Sequence, residues 1–356
     1  MSPSAMNELP PATGTPGSGR ATVRDVAARA GVSPKTVSNV ITGKVYVRPE
    51  TRRRVDAALA ELDYVPNLSA RGLRNGRSGV IALALPDLAT PYSAEVAHHF
   101  VEAAHSRGWG VQIEETRGRP DREQQLVSRA LSRLVDGLIL NPVFPDELSL
   151  SADALLPPTV LIGEVLDLPF DQVRVDPETA AYDMTSHLIG LGHRRIALLG
   201  SPDRSTAFTA TLRTQGYRRA LVDAGLRTDP RLEIACDDWT PRGGAGAVDS
   251  FIDGSPLPDA IFCLTDSLAL GVISALWRRG IRVPRGISVA GFDDIADGEF
   301  AAPPLTTVSF DKDEFAARAL DRLAERITRA SMPVRTIRVP HRIVARQSTA
   351  ARATTR

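Results

Sequence analysis

The sequence has few cysteines, few aromatic residues and no long apolar segment. Only two of its 356 residues are cysteines, and Cys236 and Cys263 form no Cys-x-x-Cys motif of a zinc or redox site. No apolar run approaches the roughly 20 residues that a helix needs to cross a bilayer. The first residues also lack the basic and apolar regions of a signal peptide. These absences argue against a disulfide-stabilised secreted domain and a membrane protein, and they predict a cytoplasmic protein with reduced thiols.

The charge is nearly balanced, because the net charge at pH 7 is only +1. The balance conceals a local excess, since residues 20–78 contain 12 basic and 5 acidic residues while the remainder of the chain is acidic. Concentrated positive charge is what contact with a polyanion such as DNA requires. We therefore expect any nucleic-acid contact to lie within residues 20–78.

Motifs of the common catalytic and metal sites are also missing. The sequence has no Gly-x-Ser-x-Gly elbow, no P-loop and no Gly-x-Gly-x-x-Gly after a strand. His98 and His99 beside Glu95 lack the order of a His-Glu-x-x-His zinc motif, and adjacent histidines on a helix point in different directions. The acidic stretch GFDDIADGEF lacks the spacing of a calcium loop. We expect no enzyme activity, no metal site and no cofactor.

Composition divides the chain into three parts. Residues 1–20 are rich in Ser, Pro, Thr and Gly, which is typical of a disordered tail. A basic connector, VPNLSARGLRNGRSG, separates a short helical region from a longer one with strands. In the longer region helical patterns alternate with the apolar runs GVIALAL, GLIL, TVLIG, RIALLG, DAIFCL and ISVAGF. This alternation predicts a doubly wound α/β body with parallel strands and crossover helices.

Two helices separated by a tight turn are predicted after the tail. Thr22 and Asp25 form a capping pair at the start of the first helix, and Gly31 ends it. Ser33 is a good N-cap and Pro34 suits the first position of a second helix. A third helix is predicted within RPETRRRVDAALAELDY, whose apolar residues at helical spacing would cover the first two.

The second helix has the features of a DNA-reading helix. Its apolar residues recur at core spacing and leave Lys35, Thr36, Ser38 and Asn39 outside. Small and hydrogen-bonding side chains at a helix N-terminus suit the major groove, and the flanking arginines suit phosphates. These residues alone are also compatible with a second interpretation, in which the two helices form a solvated basic hairpin that does not read DNA.

Polar residues follow the predicted strands where an open α/β sheet places its ligand crevice. They are Asp87, Asn141, Glu164, Asp266 and Asp293. Helix capping is the alternative role for each of them. The sequence therefore predicts a polar crevice without deciding which of these residues line it.

Several separated motifs occur in a fixed order along the chain. They are the stretch TVRDVAARAGVSPKTVSNVITG, the hinge entry YVPN and then GLGHRRIALLG, RTQGYRRAL, LTDSLALGV, ISVAGFDD and PPLTTV. With these motifs the chain resembles the lactose-repressor (LacI-type) family over about residues 21–346. The specificity lies in the whole ordered set rather than in any single motif.

The resemblance implies a small all-α helix-turn-helix domain and an α/β core of two doubly wound parallel-sheet subdomains of the periplasmic-binding-protein type. In such proteins the core dimerises, and a small effector changes the affinity for a near-palindromic operator. The C-terminal RIVARQSTAARATTR has no apolar heptad, so we expect a homodimer without a tetramer-forming helix. The implied parts are residues 1–20 (tail), 21–65 (DNA-binding domain), 66–78 (hinge), 79–346 (effector-binding and dimerisation core) and 347–356 (tail).

The same resemblance assigns the DNA contacts. Base reading falls on Pro34, Lys35 and Asn39, and because an Arg is common in the family at the position of Asn39, the operator sequence stays open. In the hinge stretch NLSARGLR, Leu73 resembles the family's minor-groove wedge, while a plain flexible linker is the alternative. The full set of expected DNA-binding residues is Thr22, Ser33, Pro34, Lys35, Thr36, Ser38, Asn39, Asn67, Ser69, Ala70, Arg71, Leu73 and Arg74.

The resemblance also assigns the effector contacts, which fall on Tyr92, Glu164, Arg213, Trp239, Thr265 and Asp293. Carboxylates, a guanidinium and an aromatic platform suit the hydroxyls and C–H faces of a carbohydrate. Thr265 stands where an Asn is frequent in the family. One directional contact with the ligand is therefore altered, and the resemblance does not identify the sugar. A purine-like co-repressor stacked on Trp239 and a soluble sugar-binding protein are the alternatives. The basic N-terminal helices favour a cytoplasmic, nucleoid-associated repressor.

Overall fold

The structure is a computed structural model that describes residues 21–43, 45–64, 77–129, 135–143, 157–163, 168–201, 208–329 and 331–352. The chain divides into two compact units, Met1–Arg71 and Gly72–Arg356. The division falls inside the predicted hinge, most of which lies outside the described residues.

Within its described residues, 21–43 and 45–64, the N-terminal unit contains three helices, α1 (Val23–Ala30), α2 (Pro34–Thr42) and α3 (Pro49–Glu61). The predicted capping box is confirmed, because Thr22 Oγ1 accepts from the backbone N–H of Asp25 at 3.3 Å and Thr22 N donates to Asp25 Oδ2 at 2.7 Å. Gly31 ends α1 in the left-handed region with φ 62°. The small shared core contains Val26, Ala27, Ala30, Val37, Val40, Val55 and Ala58.

The described part of the second unit contains two six-stranded sheets. The first sheet has the order β11-β5-β4-β3-β1-β2 and is parallel throughout. Its strands are β1 (Val80–Leu85), β2 (Gly110–Glu115), β3 (Leu138–Leu140), β4 (Thr159–Ile162), β5 (Asp171–Arg174) and β11 (Thr336–Arg338). Its helices are α4 (Pro91–Ser106), α5 (Pro120–Arg129) and α11 (Lys312–Thr328).

The second sheet has the order β12-β10-β9-β8-β6-β7. Its strands are β6 (Ile196–Ser201), β7 (Glu233–Ala235), β8 (Ala260–Cys263), β9 (Ser288–Phe292), β10 (Thr306–Phe310) and β12 (His341–Val344). Its helices are α6 (Pro177–Gly190), α7 (Phe208–Asp223), α8 (Pro241–Gly254), α9 (Asp266–Arg278) and the short α10 (Ala296–Glu299). The chain crosses between the two sheets three times: after β5, after β10 and between β11 and β12.

The doubly wound α/β architecture is confirmed, with one difference in strand direction. All six apolar runs form strands, and pairing among them is parallel. The edge strand β12 pairs antiparallel with β10, however, joining Thr307 to Val344 and Phe310 to His341. No crossover helix precedes β12, because the chain passes directly to it from β11 in the other sheet.

Helices α8 and α9 approach so closely at Gly271 that a Cβ there would lie 1.9 Å from the carbonyl oxygen of Pro241. Gly271→Ala is therefore expected to lower the free energy of unfolding by about 1–3 kcal/mol, which is typical of overpacking. The matched control is Gly246→Ala within α8, where an added Cβ meets nothing within 4 Å. It is expected to be neutral or to stabilise by up to about 1 kcal/mol, because alanine favours a helix. Urea denaturation of both variants checks the contrast, and equal effects would contradict it.

Candidate DNA-reading helix and effector cleft

Helix α2 presents the predicted DNA-reading residues in the way that the sequence indicates. Val37 and Val40 are buried, whereas Pro34 and Lys35 are exposed. Lys35, Ser38 and Asn39 lie on one face by helical spacing. Ser33 accepts a hydrogen bond from Thr36 N at 3.2 Å, and the two hydroxyls lie 2.9 Å apart, so both side chains also serve as the helix cap.

Arg54 of α3 supports the turn between α1 and α2. The sequence analysis did not predict this role. Its Nη2 donates to the carbonyl oxygens of Ala30 and Gly31, at 2.5 and 3.0 Å. A long-range side-chain bond of this kind leaves no periodic signal in the sequence. Arg54 thus fixes the corner from which α2 begins.

The predicted hinge contacts Asn67, Ser69, Ala70, Arg71, Leu73 and Arg74 lie outside the described residues. Their roles at the DNA remain predictions. Glu164 in the core also lies outside the described residues, and its role in effector binding remains a prediction.

Lys35→Ala is expected to relax selectivity at one symmetric operator position by about 1–3 kcal/mol. The reason is that an exposed lysine at the start of α2 can donate to guanine O6 and N7. Binding to a library of operator variants that differ at single positions measures the change. An equal loss of affinity for every sequence would instead identify Lys35 as a phosphate contact. Arg24→Ala, which changes an exposed residue of α1, serves as a comparison.

A cleft of about 440 Å³ lies in the second unit between the two sheets. It is formed where strands of both sheets end, as the sequence predicts for an open α/β fold. Asp87 follows β1, Asn141 follows β3 and Asp293 follows β9, and all three line the cleft. Asp266 follows β8 but is absent from the lining.

Arg213, on α7, is held against the wall of the cleft. Its guanidinium carbon lies 3.4 Å from the ring centroid of Phe292, and Nη2 lies 3.8 Å from Asp293 Oδ1. Nη1 donates to the carbonyl oxygen of Leu264. Both charged side chains are largely buried, with 7% and 6% exposed for Arg213 and Asp293. The arrangement combines a cation–π contact with a charge pair in a site of low dielectric constant.

Asp293 and Asp294 form a turn in which both residues have positive φ, 113° and 50°. Such angles are costly for residues other than glycine, so the surrounding contacts have to maintain them. The N-cap of the following helix α10 is Ile295. Asp293 is therefore not a helix cap, which removes the alternative that the sequence left open for this residue.

Asp266 contacts the residue that follows this turn, Ile295. Its side chain is completely buried, and it accepts hydrogen bonds from Ile295 N at 2.9 Å and from Thr307 Oγ1 at 2.6 Å. Burial raises the pKa of Asp266 to about 7. Sequence reasoning identified Asp266 as a polar residue after a strand, and the structure shows that it positions the turn rather than lining the cleft.

Three further predicted residues line the same cleft. Trp239 Nε1 donates to the carbonyl oxygen of Cys236 at 2.9 Å, which fixes the orientation of the indole ring. Tyr92 packs edge-on against Phe310 with ring centroids 6.5 Å apart. Thr265 is the N-cap of α9 and accepts from Leu268 N at 3.3 Å. The cleft thus has two aromatic side chains and several hydrogen-bonding groups on opposite walls.

The described residues contain neither a candidate metal site nor a candidate membrane-spanning helix. No group of three or more His, Cys, Asp or Glu side chains there could hold a metal ion. Within the same residues, no helix is both long enough and apolar enough to span a bilayer.

A helix-turn-helix unit together with a two-sheet core and a polar cleft defines the class of ligand-responsive DNA-binding regulators. Two sequence profiles match the same parts: bacterial regulatory proteins of the lacI family match residues 22–67, and the periplasmic binding protein-like domain matches residues 185–349. The HTH-type transcriptional repressor CytR of Escherichia coli (strain K12) is 32% identical over 302 residues, which cover 84% of this chain and 88% of that protein. The chain belongs to the LacI family of bacterial transcriptional repressors.

Solved structures of the family agree with the fold. A lac repressor dimer bound to operator and the anti-inducer ONPF is 28% identical, with a TM-score of 0.82 over 94% of this chain and 100% of that chain. A complex of the transcriptional regulator CelR with cellobiose is 29% identical, with a TM-score of 0.68 over 92% of this chain and 100% of that chain. The protein is accordingly a DNA-binding repressor with an effector-binding core.

Proposed function

We propose that this repressor binds a neutral carbohydrate in the cleft between its two sheets and that the bound sugar changes its affinity for a near-palindromic operator. The observation that carries the proposal is the grouping of Asp293, Arg213 and Trp239 around one cleft. Trp239 offers a flat apolar surface for the C–H face of a sugar ring. Asp293 accepts hydrogen bonds from adjacent hydroxyls.

The charge of the cleft favours an uncharged ligand over a phosphorylated one. Its described lining contains four carboxylates, Asp87, Asp237, Asp238 and Asp293, against one guanidinium, Arg213. That guanidinium already contacts Asp293 and the ring of Phe292. A phosphate would face the excess of negative charge, whereas sugar hydroxyls can donate to it. The similar regulator CelR has been solved in complex with cellobiose, which is a neutral sugar.

Operator binding as a homodimer is the second part of the proposal. Two large apolar side chains of the core are strongly exposed in the single chain, Trp277 at 78% and Phe300 at 84%. A shallow pocket joins Trp277 to Ala302 and Pro303, close in sequence to Phe300. Apolar surface of this kind supports a dimer interface, and a symmetric dimer matches a near-palindromic operator. We place this activity on the nucleoid in the cytoplasm.

A thermal-shift screen of the full-length chain tests the effector class. The panel contains neutral mono- and disaccharides, each paired with its phosphate ester, and a set of nucleobases and nucleosides. A neutral sugar at about 100 times its Kd should stabilise the core by about 2.7 kcal/mol and raise Tm by several degrees. Its phosphate should have a much smaller effect. Stabilisation by sugar phosphates alone would contradict the charge argument, and stabilisation by purines alone would establish a purine-like co-repressor.

A further inference from the structure

Glu95 links two parts of the core that lie beside the cleft. It lies on α4, which packs with the first sheet, three residues after Tyr92. Its Oε1 accepts a hydrogen bond from Ala296 N at 2.7 Å, and its Oε2 lies 2.9 Å from Lys312 Nζ. Ala296 begins α10, between β9 and β10 of the second sheet. One carboxylate therefore joins the first subdomain to the segment that directly follows the Asp293 turn.

Lys312 adds a second contact between the same two parts of the core. It is the first residue of α11, where the chain crosses from the second sheet back to the first. Its side chain is only 9% exposed, and Nζ also donates to the carbonyl oxygen of Asp294 at 2.7 Å. The Asp294 carboxylate in turn accepts from Arg346 Nη2 at 2.7 Å. Lys312 thus holds the left-handed peptide next to Asp293 while it pairs with Glu95.

We propose that Glu95 and Lys312 are positioning residues that tie the two subdomains together beside the cleft and hold the Asp293 turn in place. Opening of the cleft then requires that Glu95 separate from Ala296 and that Lys312 separate from the carbonyl oxygen of Asp294. Charge-assisted hydrogen bonds between partly buried groups are stronger than exposed ion pairs, so this link is strong enough to bias the opening. The proposal rests on the proposed function only for the role of Asp293 toward the ligand.

If the Glu95–Lys312 pair had only a structural role, a different experimental result would be expected. It would contribute to the free energy of unfolding of the whole core without a specific effect on the cleft. The two roles are therefore distinguished by a local probe of the cleft in the folded protein.

The chain carries such a probe, because one of its two cysteines lines the cleft. Cys236 is half-buried in the cleft wall, whereas Cys263 is completely buried. Alkylation of the full-length protein by iodoacetamide, followed by mass spectrometry, measures how often Cys236 becomes accessible. The reagent is neutral, so the charge changes in the variants do not alter its approach. Cys236→Ala confirms which thiol reacts.

Glu95→Gln and Lys312→Met are each expected to raise the alkylation rate of Cys236 at least threefold. The double variant should be no faster than the faster single variant, because both changes remove the same ion pair between Glu95 and Lys312. The control is Glu102→Gln, which removes an exposed carboxylate on the same helix and should leave the rate unchanged.

Equal alkylation rates in wild type and both variants would overturn the proposal. Faster alkylation of Cys263 together with Cys236 would also overturn it, since that result indicates general loosening of the core. No effector is present in this experiment. Its failure is therefore distinguishable from failure of the proposed carbohydrate site, which the thermal-shift screen tests.

Discussion

Asp293→Asn is expected to raise the effector concentration needed for a response at least tenfold, while the protein still folds and binds operator DNA. Asparagine keeps the size of the side chain but loses the charge and one acceptor. Hydrogen bonds to a charged group are worth about 1.5–3 kcal/mol, and about 1.4 kcal/mol corresponds to one decade in affinity. Arg213 keeps its contacts with Leu264 and Phe292 in the variant, which limits the loss of stability.

The matched control for this prediction is Asp297→Asn. Asp297 is exposed on α10, four residues beyond Asp293, so the same chemical change occurs outside the cleft. Titration of the sugar identified by the screen against operator-bound protein compares wild type with both variants. Overlapping curves for wild type and Asp293→Asn would remove Asp293 from the effector site.

Leu73→Ala is expected to lower the specific affinity for operator DNA at least tenfold and to reduce DNA bending. An apolar side chain inserted between base pairs offsets an unstacking cost of a few kcal/mol through the contacts that bent DNA allows. The alanine side chain is too short to separate the bases. Non-specific binding, which depends on phosphate contacts, should change little.

Fluorescence energy transfer between dyes at the two ends of a duplex measures this bending, with a duplex that the wild-type protein has selected from a random pool. Leu68→Ala is the comparison, because it removes the same side chain five residues earlier in the hinge. It is expected to leave the bend unchanged. An unchanged bend with Leu73→Ala would show that the hinge is a plain linker.

The local structure of the DNA-binding unit was predictable because short-range hydrogen bonds specify it. The Thr22–Asp25 capping box, the Ser33 cap and the left-handed Gly31 all involve residues within three or four positions of each other. The apolar strands were predictable for a similar reason, since burial on both faces gives continuous apolar runs. Strands β2 (GVQIEE) and β5 (DQVR) gave no such signal, because polar residues occupy them.

The candidate cleft was predictable only in outline. Polar residues after the strands indicated the correct edge of the sheets. This local pattern could not distinguish Asp293, which lines the cleft, from the buried Asp266, and only the resemblance to the family selected Asp293. That distinction depends on burial and on the positive φ angles of the turn, and the turn contacts Thr307 and Lys312, which are distant from it in the sequence. The link from Glu95 to Lys312 spans more than 200 positions, and no local pattern marks it.

In the proposed function, sugar binding in the cleft and operator binding by the N-terminal unit are coupled. Fluorescence anisotropy of the selected duplex with full-length protein, at fixed salt and with or without saturating sugar, tests it most directly. Saturating sugar is expected to change the Kd for DNA at least tenfold, and by linkage bound DNA is expected to change the Kd for sugar by the same factor. A sugar that binds the cleft tightly and leaves the Kd for DNA unchanged would show that the two sites are not coupled.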